Sequence, residues 1–368
     1  MKRMGRVVNV LSDEQRVEWL HRSKGATQGE HAEQREAIRR FPVSVYYPVG
    51  ADVAPEQEVP YLNVFAPAVE QSLQTLLEMG AQEEHLRSLT CGIQDFAEMT
   101  RTNHPKPVVV YSPAMGVDRD LYQYNISQLV QAGYVVVTVG AAYETLFTVM
   151  PDGEFLRQGA ALEGFDFGDF DALRKLVEVR RLDLLQVLDE LAVWNEQDPL
   201  LKGQLDLNGI GLIGHSLGGA AVYALAEEDS RVKAVVLQDP SLHLPAYERE
   251  VQVPLLLQRQ MNTSRDDLAK SGMQESVKEA TLSGQRLLFD RAKGFRSLIK
   301  IKGANHMTFC DFPILFGNVE ETAVLQEAIS ELTVAFLDEW LLGRNRAYQE
   351  FIAIDSRVAQ IDADGNAV

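Results

Sequence analysis

Residues 209–226 read GIGLIGHSLGGAAVYALA, and no other stretch narrows the folds open to this chain as much. An apolar run, residues 210–213, meets a helix-forming run that starts at Leu217, with Ser216 between Gly214 and Gly218. A G-x-S-x-G pattern in that setting is a strained strand-to-helix turn, because side chains at the two glycine positions would collide with the tightly folded backbone. The turn exposes the serine oxygen. It also aims the Leu217 N–H, at the start of the helix, toward negative charge developing on a bound carbonyl oxygen. An ordinary serine turn would need neither the apolar strand nor the alanine-rich helix.

Gly209, Gly211 and Gly214 also spell G-x-G-x-x-G, so a dinucleotide enzyme binding NAD is a formal competitor. That fingerprint must follow a strand and open a helix. Here QLDLN before it reads as polar loop, which leaves the first two glycines inside the only strand available.

The chain has 368 residues, a length that suits one α/β core with insertions, and 46% of them are hydrophobic, enough to fill that core. Its net charge of -18 repels phosphate backbones and anionic lipid headgroups, which disfavours nucleic acid and stable membrane attachment. Two cysteines, Cys91 and Cys310, are too few for a disulfide framework. The N-terminus has positive charge but no apolar signal region, and no run reaches 18 apolar residues, so the expected location is cytoplasmic. No pattern in the chain speaks to oligomeric state.

In chain order, strands are predicted at residues 6–11 and 42–47, the second ended by Pro48 and Gly50. His21 and His31, in the polar stretch between them, read as solvated. A helix is predicted over 67–80 and a weaker one over 86–99, where His85 and Cys91 read as packing or surface residues. The β-branched run 108–111, a helix with Leu121, Ile126, Leu129 and Val130, and the strand 134–139 form a βαβ unit, where a parallel sheet begins. Residues 140–172 read as loop-rich, with Phe165, Phe167 and Phe170 as anchoring rings more than as a cover over an apolar site. Helix 173–194 carries Leu184, Leu188 and Leu191 toward the sheet, with Arg180, Arg181, Asp189 and Glu190 read as off that stripe. Strands at 232–237, 254–257 and 297–301, the last of the sheet, and a helix at 322–342 complete the pattern. The DADGN near the C-terminus lacks the remaining ligands of a calcium loop, and no His/Cys cluster suggests a metal, so neither a metal nor a cofactor is expected.

A serine hydroxyl needs a base, and the base needs an orienting carboxylate. The order expected for a G-x-S-x-G turn of this kind is Ser, acid, His, each at a strand's carboxyl end. His306, in GANHMTF just after the last strand, fits as base; His243 comes too early to leave room for an acid-bearing strand before it. Asp239 directly follows a strand, whereas Asp266 and Asp267 lie several residues into a polar helical segment, so position favours Asp239 as acid.

The spacing from Ser216 to Asp239, the segment HMTFCDF at 306–312 and the block VVVYSPAMGVDRDLYQYNISQLVQAGYVVVTV together resemble the platelet-activating factor acetylhydrolases and their bacterial esterase relatives, over roughly residues 40–342. The resemblance implies that Asp239 is the acid and that His306 opens an H-x-x-F-x-D-F segment. It also implies a second oxyanion donor just after an FSHG-like tetrapeptide, which here reads Tyr111, Ser112, Pro113, Ala114. The donor would be Met115, alongside Leu217. Pro113 lacks an N–H, but Met115 keeps its own. The altered tetrapeptide bears on loop geometry and on substrate range.

The expected fold is therefore α/β, an α/β-hydrolase with a mostly parallel central sheet, helices on both faces and antiparallel N-terminal strands. Residues 1–40 form a charged N-terminal extension, 41–345 the catalytic domain with a helical insertion at about 262–293, and 346–368 a C-terminal tail. The resemblance implies a metal-independent serine hydrolase of carboxylic esters with short or modified acyl chains, phospholipid sn-2 esters included. The competing expectation is a catalytically silent α/β-hydrolase that binds a ligand or partner.

Overall fold

The β-branched runs of this chain are too apolar to face water on either side, and the computed structural model stacks them into one sheet with helices on both faces. It describes residues 3–21, 37–50, 59–270 and 274–368. The chain opens with β1 (Met4–Val17), β2 (Ile38–Tyr47) and the short β3 (Val59–Pro60), then α1 (Val69–Glu78), α2 (Glu83–Ser88), β4 (Thr90–Cys91) and β5 (Ile93–Asp95). Next come β6 (Lys106–Ser112), α3 (Gln123–Gln131), β7 (Val135–Val139), the hairpin β8 (Phe147–Val149) and β9 (Phe155–Arg157), and α4 (Phe170–Gln197). The second half carries β10 (Leu205–His215), α5 (Leu217–Ala226), β11 (Val232–Gln238), β12 (Leu255–Arg259), α6 (Arg265–Lys270), α7 (Glu275–Arg291) and β13 (Arg296–Ile301). It ends with α8 (Phe312–Leu315), α9 (Val319–Trp340), α10 (Ala347–Ile354) and β14 (Val358–Gln360).

The central sheet has ten strands in the order β14-β13-β12-β11-β10-β6-β7-β2-β1-β5. From β13 through to β7 every neighbour is parallel, while β2 pairs antiparallel with both β7 and β1. Side chains alternate along each strand, so Val108, Val110, Leu212 and Val235 enter one layer with Leu184, Leu188 and Leu191 of α4. Val109, Ile213 and Val236 enter the other, with Ile126 and Leu129 of α3 and Ile329, Leu332 and Phe336 of α9. Two buried faces explain why these strands read as unbroken apolar runs. The expected architecture, a mostly parallel sheet with antiparallel N-terminal strands, is the one observed.

Several local expectations are corrected. β1 runs on to Val17 because it pairs along β2 to Asp13 opposite Arg39 and, after a register shift, to Val17 opposite Ile38. QLDLN is not loop: β10 begins at Leu205, which is buried, and a register shift between Asp206 and Ile210 absorbs the polar residues. Gly209 and Gly211 still lie inside the strand, away from any helix start. A Cβ at Gly211 would come within 2.8 Å of Leu341 Cδ1, so this glycine serves close helix-on-sheet packing and no phosphate.

The helix expected over 86–99 stops at Ser88, and two short strands follow, with β5 adding to β1 in parallel. Thr90 and Gly92 are poor helix residues, and pairing with an open sheet edge decides the matter. The loop-rich stretch 140–172 also carries a hairpin, β8 and β9, on which Phe147 stacks against Phe155 at 5.2 Å. Of the three expected anchors, Phe165 packs on the core and Phe170 opens α4, but Phe167 is 65% exposed.

The last sheet strand is β14, not β13, held antiparallel on β13. Before it, Tyr348 of α10 is buried against Phe295 and Phe336. In DADGN, the Asp362 carboxylate accepts the N–H groups of Asp364 and Asn366, and Asp364 pairs with Arg286. The motif is a self-capped turn. His21 is half-buried against the Tyr143 ring rather than solvated, and His31 lies outside the described residues. His85 binds the Ile314 carbonyl at 2.7 Å, and Cys91 and Cys310 are buried free thiols. Among the described residues no helix is long and apolar enough to cross a membrane.

Candidate active site

Parallel strands end on the same edge of a sheet, and the crevice outside their carboxyl ends is where such folds bind ligands. Ser216 follows β10, Asp239 follows β11, His306 comes shortly after β13, and residues 113–116 follow β6. Ser216 sits at φ 54° and ψ −119°, a strained conformation that a packed environment must enforce. That environment is visible. A Cβ at Gly218 would lie 2.4 Å from both the Ser112 and Pro113 carbonyl oxygens, and one at Gly214 would lie 2.5 Å from the Gly218 oxygen. The Ser216 N–H donates to the Gln238 carbonyl at 3.0 Å, which ties the turn to the end of β11.

The three residues converge. His306 Nε2 is 3.0 Å from Ser216 Oγ, and His306 Nδ1 is 2.6 Å from Asp239 Oδ2. Because Nδ1 faces a carboxylate it carries the proton, and Nε2 is left free to accept one from the serine. Asp239 is 4% exposed. Burial pushes its carboxyl toward protonation, but Arg259, with Nε 3.3 Å from Oδ1, and the hydrogen bond from His306 win and hold it well below the usual carboxylate range. Gln260 Nε2 adds a bond to Oδ2 at 2.9 Å.

The rival residues stand apart from this group. Asp267 accepts from the Ser264 hydroxyl at 2.9 Å within its own turn, and Asp266 is exposed. His243 packs on the Phe170 ring at 5.0 Å, and burial, helped by Arg174, lowers its pKa to about 4.

The two expected oxyanion donors flank the serine turn. Leu217 begins α5, and Met115 lies in the loop against which Gly218 packs; among the described residues neither N–H has a hydrogen-bond partner. Four further residues hold this neighbourhood, and the sequence reading gave none of them a role in it. The Ala114 N–H donates to the Tyr122 hydroxyl at 2.8 Å, Tyr122 meets His215 Nδ1 at 3.0 Å, and His215 Nε2 meets the His306 carbonyl at 3.0 Å. A carbonyl can only accept, so His215 carries its proton on Nε2 and accepts the hydrogen bond of the Tyr122 hydroxyl at Nδ1. Burial first, then the neighbouring His306, keeps His215 neutral, with its pKa well below the ordinary value.

The other two are Arg180 and Glu144. Arg180 is not off the stripe of α4 but 2% exposed, bonded to Glu144 and to the Pro113 and Ala114 carbonyls. Its spacing held the signal, since residue 180 is four from Leu176 and four from Leu184, on the buried face.

The model of the family "Platelet-activating factor acetylhydrolase, isoform II" matches residues 180–338, which span Ser216, Asp239 and His306. A platelet-activating factor acetylhydrolase of Cavia porcellus is 22% identical over 66% of this chain and 59% of its own length. A protein of Arthroderma benhamiae named "Probable 1-alkyl-2-acetylglycerophosphocholine esterase" is 26% identical over 38% of this chain and 33% of its own. The matches thus span 59% and 33% of those relatives, under two thirds of either. Among solved structures, a ferulic acid esterase from Streptomyces cinnamoneus superposes with a TM-score of 0.68 at 21% identity, covering 98% of this chain and 96% of that one. The chain has an α/β-hydrolase fold and resembles the platelet-activating factor acetylhydrolases and related esterases, as its motifs implied.

Proposed function

We propose that this chain is a serine hydrolase that cleaves carboxylic esters with short or modified acyl chains, phospholipid sn-2 esters included, through an acyl-enzyme on Ser216. The observation that carries the reading is the unbroken contact from Asp239 through His306 to Ser216 Oγ. His306 Nε2 takes the hydroxyl proton as Oγ attacks the ester carbonyl, and Asp239 stabilises the imidazolium that forms. Negative charge moves to the carbonyl oxygen, which the N–H groups of Met115 and Leu217, without partners among the described residues, would receive. His306 then returns its proton to the departing alcohol. Water repeats the sequence on the acyl-enzyme and frees the acid.

Support for the ester class comes from the family match and from the named relatives, whose printed activities are ester hydrolyses. A panel of esters of graded acyl length, run on wild type and Ser216→Ala, tests it. Turnover that falls off with chain length and is lost in Ser216→Ala is the expected result. Saturable binding without turnover across the panel would instead favour a silent binding module.

A further inference from the structure

Arg180 and Glu144 take no part in the relay from Asp239 to Ser216, yet both are buried, at 2% and 1% exposure. Burying an ion pair is costly and is offset only when geometry and additional hydrogen bonds are good. Here they are good: Arg180 Nε donates to Glu144 Oε2 at 2.9 Å, Nη2 donates to Glu144 Oε1 and, at 3.3 Å, to the Ala114 oxygen, and Nη1 donates to the Pro113 oxygen. We propose that Arg180, anchored by Glu144, is a positioning residue that aims the Met115 N–H at the oxyanion by gripping the Ala114 carbonyl. The inference rests on Ser216 being the nucleophile.

The argument turns on the geometry of one peptide. A trans peptide is planar, and its C=O and N–H point in opposite directions. The oxygen of Ala114 and the N–H of Met115 belong to the same plane, so whatever holds the oxygen fixes the direction of the N–H. The preceding plane is held at both ends: Arg180 takes the Pro113 oxygen, and the Ala114 N–H goes to the Tyr122 hydroxyl at 2.8 Å. Two consecutive peptides are thereby locked, the second by Arg180 together with the Val117 N–H, which donates to the Ala114 oxygen at 3.2 Å, and the Met115 N–H is the one donor of the pair left without a partner among the described residues. Proline suits the position, because Pro113 has no N–H that would need a partner on the side facing the elbow.

Only a guanidinium can do this. Its planar fork meets two successive carbonyls and a carboxylate at once, whereas an ammonium offers a single point of attachment. The clamp also joins three elements: Glu144 in the loop after β7, Arg180 in α4, and the loop after β6, the two loops being tied as well by the Leu146 N–H on the Gly116 oxygen at 3.2 Å. Gly218 of α5 lies directly against one of the gripped carbonyls, that of Pro113, so the clamp bears on the distance between the two oxyanion donors.

Arg180→Lys and Arg180→Ala, assayed on a short-chain aryl ester with thermal melting as the folding control, test the proposal. For folded Arg180→Lys we expect kcat to fall by roughly 100- to 1000-fold, the loss typical of one oxyanion donor, with KM within about threefold of wild type. Affinity for a trifluoromethyl ketone, whose tetrahedral adduct carries the oxyanion, should fall in step with kcat/KM. Millimolar guanidinium should restore part of the kcat of Arg180→Ala without moving its melting temperature. A folded Arg180→Lys with kcat within about threefold of wild type, or with undiminished ketone affinity, would overturn the proposal. Should the Arg180 variants fail to fold, Glu144→Gln decides, with a kcat loss of about tenfold or more at constant KM expected and an unchanged kcat overturning it. Wild type without Ser216-dependent turnover would fault the nucleophile reading. Active wild type beside an indifferent, folded Arg180→Lys would fault the clamp alone.

Discussion

Asp239 shows how several weak cues can outweigh one strong penalty. Burial alone pushes it toward the protonated form, which could not hold an imidazolium; Arg259 and the His306 hydrogen bond reverse the balance. Asp239→Asn should therefore lower kcat by roughly ten-thousandfold, as loss of the triad carboxylate does, while Asp266→Asn and Asp267→Asn stay near wild type in the same ester assay. His243 gives a prediction of a different kind. Its folded pKa of about 4 lies below the ordinary 6.5, so between those values the unfolded chain binds a proton that the folded chain does not. Its contribution is then a loss of stability as pH falls across that window. In urea titrations at about pH 7 and about pH 4.5, the midpoint of His243→Gln should drop less than that of wild type, with kcat unchanged at the higher pH. Equal drops would contradict the burial argument.

The β10–α5 unit is a turn that two glycines make possible and its neighbours make compulsory. Gly218→Ala drives a Cβ into two backbone carbonyls at 2.4 Å, and backbone cannot swing aside as a side chain could. Its expected cost is about 1–3 kcal/mol of stability from overpacking, read by denaturant melts, together with a large loss of kcat as the loop after β6 is pushed from the serine. This turn was legible because every requirement of it is local: strand, glycine, serine, glycine and helix all fall within residues 209–226. His306 was legible by its place after a strong strand. The Tyr122 and His215 link was not, because its partners come from segments 93 residues apart and no local spacing records their meeting. Arg180 was obscured differently, by its charge: a helical position on the apolar stripe was read as surface because it held an arginine.

Across the molecule, the same contrast separates the core strands from the edges. Strands buried on both faces announce themselves as apolar runs, and β6, β7, β11, β12 and β13 were read within about two residues of their observed limits, whereas the polar start of β10 was read as loop. β4, β5 and β14 have two or three residues each and owe their existence to the strand beside them, which composition cannot reveal. The C-terminal segment is nonetheless fastened. Tyr348 is fully buried, and its hydroxyl donates to Ser297 Oγ on β13 at 2.7 Å. Tyr348→Ala should cost on the order of 3–5 kcal/mol, the range for truncating a large buried aromatic, and should lower the melting temperature without changing KM. All of these elements serve one arrangement, a strained serine at the carboxyl edge of the sheet with a base and an acid in line behind it. Intact-mass and peptide analysis after reaction with a fluorophosphonate tests that arrangement most directly. The account predicts one covalent adduct, on Ser216, formed rapidly by wild type and far more slowly by folded His306→Ala. A folded wild-type protein that stays unlabelled at Ser216, or that labels equally fast without His306, would contradict it.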